Sequence, residues 1–119
     1  MKTPQAVRML SALAQTSRLA VFRLLVAQGP EGLPAGQIAK RLKISPATLS
    51  FHLKELHHGG LTQSRQDGRY VIHSANFEAM NSMIAFLTEN CCQGSSCGPD
   101  ATACQPAFQS APRRGKTKP

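Results

Sequence analysis

The chain has 119 residues, 41% of them apolar, enough for one small domain, since two would leave each core under about 60 residues. Lys and Arg number 14 against six Asp and Glu, a net charge of +8, which favours a polyanionic partner. No apolar run approaches the roughly 20 residues of a membrane span, and the amphipathic stretch after Met1-Lys2-Thr3-Pro4 is unlike an export signal; no membrane association and a cytoplasmic location are expected.

Composition changes near residue 90. Residues 1–90 hold ten of the basic and five of the acidic side chains, so this stretch is basic in its own right and is expected to form the folded domain. Residues 91–119 are rich in Gly, Pro, Ser, Gln and Ala and end in a basic cluster that includes Arg113 and Arg114. They are expected to be a largely flexible tail. All four cysteines, Cys91, Cys92, Cys97 and Cys104, fall in that tail. A secreted disulfide scaffold spreads its cysteines through the chain, whereas this clustering points to a site.

In chain order, Val7, Leu10, Leu13 and Ala14 recur at helical spacing and predict helix 1 with one apolar stripe. Helix 2 is expected from Ser17 to Gln28, with Leu19, Phe22, Leu25 and Val26 inward and Gly29-Pro30 as its stop. Pro34 suits the first position of a short helix 3 with Ile38 and Leu42 inside. Ser45-Pro46 then offers an N-cap followed by proline at the first helical position. Helix 4 carries Leu49, Leu53 and Leu56 on one face and ends at Gly59-Gly60. Helices 3 and 4, joined by the tight turn Lys43-Ile44-Ser45, make a helix-turn-helix pattern.

After Gly60 the apolar period changes to two. Residues 61–66 and 69–74 flank Asp67-Gly68, a strong hairpin signal. Ala75 or Asn76 leads into helix 5, residues 77–90, with Phe77, Met80, Ile84 and Leu87 on one stripe and Met83 and Phe86 on a second. A terminal helix in so small a domain has one core to face, so the second stripe points to a partner subunit. The fold class is mainly α with a small β-hairpin: a winged helix-turn-helix.

Such an arrangement suits DNA. The major groove admits one helix, and a capped helix N-terminus approaches phosphate while short side chains reach base edges. Ser45, Ala47, Thr48 and Ser50 are candidate contacts, with Lys54 for a phosphate. Arg65 and Arg69 flank the hairpin turn, where they reach a neighbouring groove or backbone, or else are solvated hairpin charges. His52, one residue before core Leu53, is either a DNA contact or a structural hydrogen-bonding group. His57 and His58 at the helix C-terminus favour its dipole.

Three segments carry a resemblance to a known family. Residues 13–19 (Leu-Ala-Gln-Thr-Ser-Arg-Leu) with Phe22-Arg23-Leu24-Leu25 resemble the opening helices of the ArsR/SmtB metalloregulatory repressors. Residues 45–56, followed by Gly60-Leu61, resemble their recognition helix, and residues 65–70 their wing. The resemblance covers about residues 5–92. It implies a homodimer joined through helices 1 and 5 that binds double-stranded operator DNA as a repressor and lets go when a metal ion binds.

The cysteines decide the inducer. Thiolates select soft ions, and three of them, Cys91, Cys92 and Cys97, with no obvious fourth partner suit pyramidal arsenic(III) or antimony(III). Adjacent helical side chains diverge by about 100°, so Cys91 and Cys92 converge only if the helix frays there. Cys104 is a possible auxiliary ligand. The zinc regulators of the family carry His and carboxylate ligands on the last helix, whereas helix 5 has Glu78 and Glu89 but no His. Other arsenic-responsive relatives use a Cys-x-Cys before the recognition helix, where this chain has no cysteine. A zinc- or cadmium-responsive repressor, or a thiol-redox-responsive one, is the alternative of the same fold. A thiol enzyme such as an arsenate reductase is disfavoured, because the chain lacks a Cys-x-x-Cys pair and a phosphate-cradling glycine loop.

Overall fold

The computed structural model describes residues 1–94, and the chain divides into two units, Met1–Met80 and Asn81–Pro119. Cys97 and Cys104 lie outside the described residues. The elements are α1 (Thr3–Leu13), α2 (Thr16–Gln28), β1 (Leu33–Pro34), α3 (Ala35–Leu42), α4 (Pro46–His58), β2 (Thr62–Asp67), β3 (Tyr70–Ala75) and α5 (Phe77–Leu87), followed by a 3-10 turn at Cys91–Gly94. No single described helix is long and apolar enough to cross a membrane.

The helix-turn-helix stands where its caps put it. Lys43, in the left-handed conformation, ends α3 and donates its N–H to the Ala39 carbonyl. Ser45 caps α4, its Oγ accepting from the Thr48 N–H at 3.3 Å, and Pro46 occupies the first turn without leaving a donor unmet. Leu49, Leu53 and Leu56 are buried as their spacing predicts, and Ile38 faces them from α3. At the far end the Gly60 N–H bonds the His57 carbonyl and the Leu61 N–H the Leu56 carbonyl, the Schellman pattern that lets glycine take a positive φ. Leu56 and Leu61 are both fully buried beneath it.

The helix-1 stripe is corrected by the structure. Ala6, Met9 and Ala12 are the buried residues of α1, whereas Val7 is 54% and Leu10 40% exposed. Both sets recur at helical spacing; the buried one turns Ala12 toward the end of α4, where a Cβ on Gly59 would stand 3.0 Å from that of Ala12, and buries Met9 as one of the larger core side chains. In α2, Val21 joins Phe22 and Leu25 in the core while Leu19 is exposed. Gln15 caps α2, accepting from the Arg18 N–H, and the Arg18 side chain donates to the Ala12 carbonyl, satisfying the end of α1.

A third strand was not expected. Leu33–Pro34 pairs antiparallel with β3, Leu33 opposite His73 and Pro34 opposite Ile72, giving the sheet order β1-β3-β2. Pro34 is therefore the residue before α3 and not its first helical position. Gly32 has φ +69, and a side chain there would strike the His73 carbonyl and the Ile72 Cγ2, so the chain enters this edge only through glycine.

The hairpin forms with Asp67 opposite Tyr70. The turn is thus Gly68-Arg69, one residue later than the sequence signal placed it, and Gly68 supplies the positive φ. Asn76 joins hairpin to helix: its Oδ1 accepts from the Ala79 N–H and its Nδ2 donates to the Gly60 carbonyl. Helix α5 ends at Leu87, short of the expected residue 90. Its two stripes are corrected at these positions: Met83, expected on the partner-facing stripe, is buried, while Leu87, expected on the other, is 57% exposed.

Candidate nucleic-acid interface and thiol site

Within Met1–Met80, α4 presents an outward face of Ala47, Thr48, Ser50, Phe51 and Lys54, all exposed. Ser45 lies at its N-terminus, donating through Oγ to Thr48 Oγ1 at 2.9 Å, so both hydroxyls are oriented before anything binds. His52 belongs instead with the leucines: it is 6% exposed, and its Nδ1 is buried without a hydrogen-bond partner. It is a core residue in this structure, and the possibility of a direct base contact is corrected accordingly.

The wing arginines divide. Arg65 turns back from β2 and donates to the Pro30 and Glu31 carbonyls, the latter at 2.9 Å, which ties the hairpin to the turn after α2. Arg69 sits in the two-residue tip beside Tyr70, which is 63% exposed. Between α4 and the sheet a cleft of about 270 Å³ is lined by Ser50, Lys54, His57, Ser64 and His73. Partial burial holds the His73 imidazole below its ordinary value, and neighbouring His57 pushes it the same way. A capped helix with short polar side chains, a cation one turn on, and a cationic hairpin tip is a winged helix-turn-helix surface for double-stranded DNA.

Comparison with known proteins agrees. A helix-turn-helix domain family model matches residues 13–65. The chain is 31% identical over 88 residues to the HTH-type transcriptional regulator YgaV of Escherichia coli, covering 74% of this chain and 87% of that protein. An ArsR-like transcriptional regulator from a Rhodococcus species superposes with a TM-score of 0.64 at 25% identity, over 71% of this chain and 76% of that one. A homodimeric winged helix-turn-helix DNA-binding domain from Mycobacterium bovis, described as a possible ArsR-family regulator, gives 0.59 at 25% identity, over 77% and 85%. The chain belongs to the ArsR-type transcriptional regulators, a DNA-binding family.

Within Asn81–Pro119, the backbone after α5 leaves helical geometry before the 3-10 turn at Cys91–Gly94. Asn90, Cys92 and Gln93 all take positive φ, 58°, 56° and 59°. Across that break the Cys91 and Cys92 sulfurs stand 3.6 Å apart, with Cys91 half-buried and Cys92 exposed. The hydrogen bond with Cys92 raises the Cys91 thiol above its ordinary value, helped by desolvation and by the neighbouring charge. Two thiolates on one tetrahedral zinc ion, at about 2.3 Å each, stand about 3.8 Å apart, so the observed separation is that of two sulfurs able to share an ion. No cluster of three His, Cys, Asp or Glu side chains with metal-holding geometry occurs among the described residues; the remaining expected ligand, Cys97, lies beyond them, as does Cys104.

Proposed function

We propose that this chain is an arsenic(III)-responsive repressor: a homodimer that holds operator DNA with α4 and the wing, and is released when arsenite or antimonite binds Cys91, Cys92 and Cys97. The observation that carries this reading is the 3.6 Å approach of the Cys91 and Cys92 sulfurs. Successive helical residues diverge, and the positive φ of Cys92 lies between the two side chains that here approach each other. A pyramidal centre closes the angle between its sulfurs below the tetrahedral one, which favours a separation somewhat shorter than zinc's.

The proton on a thiol bears on the choice of ion. Zinc and cadmium need thiolates, so binding them must first expel the thiol protons. Arsenous acid carries its own proton acceptors. Three thiols give their protons to its three hydroxyls, three waters leave, and three arsenic–sulfur bonds form with no change in oxidation state. Protonated thiols are no obstacle to that exchange.

The dimer is supported by apolar surface on α1 and α5. Val7 and Leu10 on the first and Leu87 on the second are exposed, and a second copy covering them would bury surface at about 25 cal/mol per Å². In such a dimer two α4 helices lie about 34 Å apart, one DNA turn. Loading the thiols at the end of α5 alters that spacing, and a coupling of about 1–3 kcal/mol weakens operator binding about 5–150-fold. A mobility-shift titration tests it: Cys91→Ser and Cys92→Ser retain operator binding and lose release by arsenite. Release of either variant at the wild-type concentration would place the site elsewhere.

A further inference from the structure

The outward face of α4 carries one side chain that a solvated helix does not account for. Phe51 is 55% exposed midway along the helix, off the phase of the buried Leu49, Leu53 and Leu56. It lies one turn from Ala47 and Thr48 on one side and from Lys54 on the other, among residues suited to phosphates and polar base edges. A phenyl ring can serve neither. Its ring contact is with His52, centroids 5.7 Å apart and planes inclined by 59°. Because His52 is itself buried, it backs the ring from the core side and leaves the other side facing out.

On the base edges of the major groove, the apolar feature within reach of such a ring is the C5 methyl of thymine. We propose that Phe51 reads a thymine methyl in each half of the DNA site, which makes it a specificity-determining residue. The inference rests on α4 being the groove-reading helix. The flanking Lys54 and the cationic wing tip at Arg69 favour DNA over an apolar protein segment as the occupant of this face.

The test uses the reduced full-length chain. Duplexes are selected from a randomised pool, and each thymine of the enriched sequence is replaced singly by deoxyuridine, which removes the methyl alone. Anisotropy titrations are expected to show about fourfold weaker binding at one or more thymines per half-site, as for one carbon withdrawn from a buried contact. In Phe51→Ala and Phe51→Ser the thymine and deoxyuridine duplexes bind alike, while the melting temperature and the salt dependence of binding stay at wild type. A methyl effect missing from the wild type, or persisting undiminished in both variants, overturns the proposal and leaves α4 as a DNA-binding helix. Failure to enrich any duplex overturns both readings.

Discussion

The Arg65 guanidinium donates to the Glu31 carbonyl at 2.9 Å and to that of Pro30 at 3.4 Å, so this wing arginine is a brace between β2 and the turn after α2. Arg69, four residues on, occupies the open tip. The two should separate on mutation. Arg65→Ala is expected to cost about 1 kcal/mol and lower the melting temperature by about 4–8 °C, with the salt dependence of DNA binding unchanged. Arg69→Ala should leave melting alone and reduce the slope of log K against log salt by about 0.9, the signature of one lost phosphate contact. Calorimetry and anisotropy at several salt concentrations read the two effects.

Gly32 is the least replaceable residue at the β1 edge. Its φ of +69 and the His73 carbonyl beside it leave no room for a methyl group. Gly32→Ala should destabilise the fold by about 1–3 kcal/mol, whereas the same change at exposed Gly36, where nothing stands within 4 Å and φ is not positive, should be neutral or stabilising. Urea denaturation compares them.

The N-cap of α4 is equally specific. Ser45→Ala removes the acceptor of the Thr48 N–H and should cost about 0.5–2 kcal/mol. It also frees the Thr48 hydroxyl, so DNA affinity should fall beyond what lost stability explains. Binding measured well below the melting transition separates the two contributions.

Acid should weaken the fold through His73. Its folded pKa lies below the ordinary value because of burial and then His57. The unfolded chain therefore takes up the proton first as pH falls. The contribution to stability is complete above about pH 6.5 and is lost as pH drops through and below it. His73→Asn should flatten that part of the stability profile, and His57→Asn should flatten it in part. Denaturation at several pH values between about 5 and 8 checks the sign.

The helix-turn-helix was legible because its signals are local: a Ser-Pro start, three leucines in phase and a Gly-Gly end all lie within 16 residues of one another. What escaped were features made by distant residues. Leu33–Pro34 is too short to show a period, and it is a strand only because β3 lies beside it. Arg65 reads from sequence as a DNA contact or a solvated charge, not as a brace, since its partners are 34 and 35 residues away. In α1 two stripes of equal spacing compete, and the one that is buried is the one whose Ala12 faces Gly59 at the end of α4, a contact between distant residues that spacing does not show. Phe51 was overlooked although its phase against the leucine stripe marks it as outward. At the thiols, adjacency is plain from the sequence, but their approach depends on a positive φ at Cys92 that a cysteine does not announce.

The account stands most directly on whether loading the thiols loosens DNA. Anisotropy of a labelled operator bound to the reduced full-length protein, titrated in parallel with arsenite, antimonite, zinc and cadmium, measures it. Arsenite and antimonite should release the DNA at lower concentrations than either divalent ion, and Cys91→Ser should abolish that release. Operator affinity that stays constant through saturation with arsenite, or release by zinc or cadmium ahead of it, contradicts the account.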